Sequence, residues 1–182
     1  MPRKTQHGPS AWVAAGLRLL AERGEAAVGV EPLARRLGAT KGSFYHHFAD
    51  RPALLGALLE AWSSRADALL ERVDAAGGGP AARLWALLET VIREGATSPE
   101  PAIRLWARSD EIARVALARV DRARLDWLET LFVELGRDAE APTRARLCYM
   151  ALIGEHALGE RPSVVERLAT ARSVHAWLTR GS

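Results

Sequence analysis

Apolar residues recur along this chain at intervals of three and four, the spacing that gathers them on one face of an α-helix. Val13, Leu17 and Leu20 set a first helix, Ala11 to Arg23, with Ser10 as its expected N-cap and Gly24 as its stop. Val30, Leu33 and Leu37 form the inner face of a short helix over 30–37, where Pro32 is tolerated because it lies in the first turn. Gly38 breaks that helix. Thr40 is expected to cap a third short helix, Lys41 to His47. Asp50 is expected to cap a long fourth helix reaching about Ala75, with Leu54, Leu55, Leu58, Leu59 and Trp62 as its stripe. Breaks at Gly77-Gly78-Gly79-Pro80 and Ser98-Pro99-Glu100-Pro101 separate the helices that follow. These are Pro80 to Gly95, Ile103 to Arg108, Asp110 to Leu135, Thr143 to Gly159 and Ser163 to Thr179. No β-branched alternation competes, and the chain has no Asn with which to build an Asn-Gly hairpin. The pattern predicts an all-α fold of about nine helices, a three-helix N-terminal domain followed by a helical bundle.

Composition narrows the class. The 182 residues are 48% hydrophobic and 26% charged, ordinary for a water-soluble globular chain with a sizeable core. No apolar run approaches the ~20 residues a membrane span needs. The polar start, Met1 to Ser10, lacks the apolar stretch of a signal peptide, so no membrane partner is expected. Cys148 is the only cysteine; it can form no internal disulfide, and a cytoplasmic location fits.

Charge changes the picture more. Residues 1–60 carry eight Lys/Arg against five Asp/Glu, a net of +3 that equals the net charge of the whole chain. The positive excess therefore lies with the short N-terminal helices, as suits a module that neutralises phosphates.

Those helices hold the most specific chemistry. Between Leu33 and Arg51 two short helical patterns are joined by a glycine turn, the layout of a helix-turn-helix. Gly38 accepts the left-handed backbone that the turn needs. Gly42 and Ser43 are small, so backbone amides at the start of the third helix can approach a phosphate or base edge. Lys41 adds charge there, and Tyr45 and His47 offer ring donors. Phe44 and Phe48 read as anchors that bury the helix. His46-His47 beside Asp50 is a poor metal site, since adjacent helical residues point about 100° apart. No zinc spacing occurs elsewhere, and no cofactor is implied. The Gly77–Gly79 run lacks the Gly-Lys-Ser/Thr of a phosphate loop and reads as a connection between helices.

The stretch Gly24 to Leu55 resembles the N-terminal domain of TetR-family transcriptional repressors. The matching residues are Gly24, Val30, Leu33-Ala34, Leu37-Gly38-Ala39-Thr40, Lys41-Gly42-Ser43-Phe44-Tyr45, His47-Phe48, Arg51 and Leu54. The resemblance implies a DNA-binding domain over 1–50 and an effector-binding and dimerisation domain over 51–182. It implies base or phosphate contacts from Thr40, Lys41, Gly42 and Tyr45, and phosphate contacts from Ser43, Tyr45, His47 and Arg51. His46 falls at a variable position and is a candidate for sequence preference. Gly29 departs from the Thr or Ser that many members use to cap the second helix.

A helix-turn-helix repressor reads two half-sites at once, so a homodimer on a palindromic double-stranded operator is expected. The last two helices match the family's dimer surface. Leu147, Met150, Ala151, Gly154 and Leu158 lie on one face, and Val164, Leu168, Ala171, Val174 and Leu178 on another; either stripe would also serve an internal core. Trp85, Trp106 and Trp127, with Leu88, Leu105 and Cys148, are candidates to wall a pocket for a small, largely apolar effector; filling the core is the alternative. Cys148, in the apolar run Leu147-Cys148-Tyr149-Met150, reads as a buried structural thiol. An enzyme is the first rival. Glu155-His156 and His175 supply the only imidazoles of the C-terminal half, and no nucleophile stands at a recognisable spacing, so no catalytic residues are assigned. The second rival is a helical interaction or ligand-binding module without operator binding.

Overall fold

The computed structural model describes residues 7–155 and 162–180. Among the described residues there are nine α-helices and no strand. They are α1 (Pro9–Arg23), α2 (Val30–Leu37), α3 (Lys41–Tyr45), α4 (Arg51–Ala75), α5 (Pro80–Glu94), α6 (Glu100–Trp106), α7 (Glu111–Glu134), α8 (Ala141–Gly154) and α9 (Val164–Thr179). Short 3₁₀ turns at Glu25–Ala27 and Gly95–Thr97 escape the apolar periodicity, because three residues are too few to display one.

The helix starts follow local chemistry. Asp50 Oδ1 accepts the amide of Ala53 at 2.8 Å, and Asp110 Oδ1 that of Ala113 at 2.9 Å. Ser163 and Glu166 form a reciprocal capping box at the start of α9. At α1 the expected cap, Ser10, lies inside the helix. Gly8 is the N-cap and Pro9 the first helical residue, a position that suits its fixed φ and missing N–H. Helix α6 likewise begins earlier than the spacing predicts, at Glu100, with Pro101 in its first turn.

The chain forms two compact units, Met1–Arg65 with Thr97–Ala118, and Ala66–Ala96 with Arg119–Ser182. This packing division cuts the chain at other places than the functional division expected at residue 50. Helix α4 gives its residues up to Arg65 to the first unit and the rest to the second.

In the first unit α1 packs on α2 and α6. Trp12, Leu20, Leu33, Phe44, Leu54, Leu58 and Ile103 are fully buried, each burial contributing about 2 kcal/mol. A Cβ on Gly16 would stand 2.7 Å from Leu58 Cδ2, so glycine is what lets α1 lie this close to α4. In the second unit α9 packs on α5 and α8. Its core joins Leu84, Leu87 and Leu88 to Leu128, Leu131, Phe132, Cys148, Tyr149 and Leu178. Arg83, mostly buried, spans the ends of three helices through ion pairs to Asp74 (3.1 Å) and Glu134, while Trp127 Nε1 donates to Asp74 at 2.9 Å.

Candidate nucleic-acid interface

Helix α2 ends at Gly38, whose φ of 62° is left-handed; its amide and that of Ala39 close back on Arg35 and Ala34 carbonyls. The chain then reverses into Thr40, whose Oγ1 accepts the Ser43 amide at 3.2 Å and caps α3. The two sides of α3 and its exit differ sharply. Phe44 is fully buried, with Trp12 edge-on at a centroid distance of 5.4 Å and Phe48 at 5.4 Å. Tyr45 is 58% exposed, and Thr40, Lys41, Gly42 and His46 are exposed beside it. Ser43 is half-buried.

Nothing inside the molecule demands glycine at position 42. A Cβ there would meet only Thr40 Oγ1, at 3.8 Å. The bare backbone at this point is therefore free to serve an approaching partner. Gly29, the N-cap of α2, makes no side-chain cap, as the missing hydroxyl implies.

Two expected phosphate contacts turn inward. Arg51 donates from Nε to the Val28 carbonyl at 2.6 Å and from a terminal nitrogen to the Glu25 carbonyl at 2.9 Å, and it also pairs with the Glu25 carboxylate. It ties the start of α4 to the turn before α2. His47 donates from Nε2 to the His7 carbonyl at 2.8 Å and fixes the approach to α1. Sequence spacing records a cation and a ring at these positions but not the carbonyls that fold back to meet them.

Charge pairing pervades the segment. Glu31 on α2 pairs with Lys41 at the start of α3 and lies 4.0 Å from Arg35. Arg36 makes a bidentate pair with Glu22, at 2.6 and 2.7 Å. The bond from Lys41 holds the Glu31 carboxyl below its ordinary range, and the bond from Arg36 does the same for Glu22.

The expected pocket residues are spread out. Leu88 and Cys148 lie in the core of the second unit, with Trp127 packed against its edge. Burial pushes the Cys148 thiol up to about 12, so it stays protonated. Trp85 stands partly exposed, with His175 edge-on at 5.8 Å and the Arg172 guanidinium 5.4 Å from its ring centre. Trp106 is buried in the first unit, and Leu105 beside it is 66% exposed. A surface groove of about 240 Å³ lies along α8, lined by Pro142, Thr143, Arg146, Leu147 and Met150.

The expected dimer stripes divide. Leu147, Met150 and Ala151 are exposed on α8, and Val164 is exposed at the start of α9. Gly154, Leu168 and Ala171 are half-buried. Leu178 is 1% exposed in the core of its own unit, and the half-buried Val174 packs against that core. Val165 and Trp177 are also exposed on α9. Leu158 and His156 lie outside the described residues. His175 donates to the Ala81 carbonyl at 2.7 Å. Among the described residues no three His, Cys, Asp or Glu gather as a metal site, and no helix is long and apolar enough to cross a membrane.

Residues 13–58 match the family model TetR_N, described as bacterial regulatory proteins, tetR family. No curated protein matches the chain by sequence. Among solved structures, a transcriptional regulator from Rhodococcus sp. Rha1 superposes with a TM-score of 0.70 at 20% identity, over 95% of this chain and 92% of its own. A regulator of the TetR/AcrR family from Thermobifida fusca YX-ER1 gives 0.67 at 20% identity, over 95% and 97%. AibR, solved in complex with isovaleryl coenzyme A and operator DNA, gives 0.70 at 19% identity, over 94% and 97%. At such identities the likeness is one of fold, and the likeness in sequence is confined to the N-terminal match. Residues 13–58 are thus similar to the tetR family of bacterial regulatory proteins, and over nearly its whole length the chain has the fold of TetR-family transcriptional regulators.

Proposed function

We propose that the protein is a homodimeric transcriptional repressor that grips a palindromic operator with α3 and releases it when a small, largely apolar effector binds the C-terminal helices. One observation carries the DNA half: α3 buries Phe44 completely while offering Tyr45, Lys41, Gly42 and His46 to the outside. In this reading Thr40, Lys41, Gly42, Ser43, Tyr45 and His46 meet the duplex, and Arg51 and His47 chiefly hold the frame that presents them. The dimer half rests on the apolar side chains that α8 and α9 leave uncovered, Leu147, Met150, Val165 and Trp177. That AibR was solved with both an acyl coenzyme A and operator DNA supports pairing the two ligands on one such fold.

The release mechanism uses α4. Because that one helix contributes to both compact units, a ligand that favours one of its positions changes the spacing of the two recognition helices of a dimer. Operator affinity then falls although every base-contacting side chain is intact. Fluorescence anisotropy of labelled duplex across a range of salt concentrations tests the DNA reading. Log K is expected to fall steeply and linearly with log salt. Weak binding that is flat at all salt concentrations would sink it and favour a ligand-binding module without an operator.

A further inference from the structure

The cation that opens the recognition helix already has a partner. Lys41, the first residue of α3, pairs with the Glu31 carboxylate across the turn, and the same carboxylate reaches Arg35 one turn further along α2. Both partners are more than half exposed, 61% for Lys41 and 58% for Glu31. An ion pair this wet adds little to stability. Its larger consequence is electrostatic. A phosphate approaching the start of α3 meets a neutral pair with the carboxylate on the same surface. Glu31 is also held ionised, since Lys41 and Arg35 both favour its charged form.

We infer that Glu31 is an affinity-setting counter-charge: it competes with the DNA backbone for Lys41 and keeps sequence-independent duplex binding weak. This rests on the DNA-binding reading above. Sequence-independent binding comes almost wholly from neutralised phosphates, so each cation added to or removed from that count registers directly. Base-edge contacts are spared, because Glu31 is not among the residues assigned to the duplex. The pairing also differs in kind from that of Arg51, whose donors are spent on backbone carbonyls and cannot be released by removing one carboxylate.

The test is a salt titration of a mixed-sequence duplex with the full-length wild-type protein, Glu31→Gln, Lys41→Gln and the double variant. Glu31→Gln keeps the shape and removes the charge. It is expected to steepen the slope of log K against log salt by about 0.9, which at about 0.1 M salt is roughly an eightfold tighter complex. In the Lys41→Gln background most of that gain disappears, leaving the share due to Arg35. If the pair instead serves only to fix α2 against α3, Glu31→Gln weakens binding, and the inference is overturned. An unchanged slope overturns it too, as does a gain undiminished without Lys41. A wild-type protein that shows no salt-dependent duplex binding overturns the DNA reading itself. A wild type that binds while Glu31→Gln does not gain overturns only the counter-charge. Unchanged thermal unfolding of each variant confirms that the comparison is between folded proteins.

Discussion

Tyr45 and Arg51 stand six positions apart and do different work. The Tyr45 ring is 58% exposed and stands perpendicular to the Phe44 ring at a centroid distance of 5.3 Å. Tyr45→Ala is expected to leave the denaturation midpoint nearly unchanged while weakening operator binding by about 1–3 kcal/mol. Arg51→Ala removes hydrogen bonds to two carbonyls and a carboxylate, so it is expected to cost about 1–2 kcal/mol of stability as well as affinity. Chemical denaturation alongside DNA titration separates the two; an Arg51→Ala protein with wild-type stability contradicts the bracing role. Gly29 gives a prediction of opposite sign. Its φ of −160° is extended, which any residue adopts, and a Cβ there meets only Pro32 Cδ at 3.7 Å. Gly29→Ser should cap α2 and raise stability by a few tenths of a kcal/mol, read as a higher denaturation midpoint.

Elements follow the same physics with less resolution. Helix α2 falls on Val30–Leu37 as its spacing predicts, and Thr40 and Asp50 cap the helices they precede, because a break and a cap are local chemistry. What faces each stripe is not local. On α9, Val174 and Leu178 satisfy a helical stripe equally well against a second subunit or against α5 and α8, and the structure shows the latter. Val165 and Trp177 are exposed about 120° apart around α9 and so fall in no common apolar stripe. The tryptophans are a similar case: their types signal bulk, while burial ranges from Trp12 at 0% to Trp177 at 63%. Close helix contact is also invisible in periodicity. Gly16 sits on α1 like any small residue, yet a Cβ there would strike the fully buried Leu58 at 2.7 Å. Gly16→Ala should therefore destabilise by about 1–3 kcal/mol despite its better helix propensity, as measured by calorimetry.

The proposed repressor joins an N-terminal DNA reader to C-terminal helices that pair two copies. Trp177→Glu is expected to yield a folded monomer, because the side chain is exposed, whereas Leu178→Ala is expected to lower stability by about 2–5 kcal/mol through a cavity in the subunit core. Sedimentation of the first and denaturation of the second distinguish adjacent residues with separate roles. A dimeric Trp177→Glu protein contradicts the proposed interface. The monomer should also lose most operator affinity, since two half-sites are then read independently. The most direct test of the whole is selection of bound duplexes from a random pool, run in parallel with wild-type protein and Tyr45→Ala. As a homodimeric operator reader, the wild type is expected to enrich an inverted repeat with half-sites about one helical turn or more apart, and Tyr45→Ala is not. No enriched repeat with the wild type, or the same repeat with Tyr45→Ala, would contradict it.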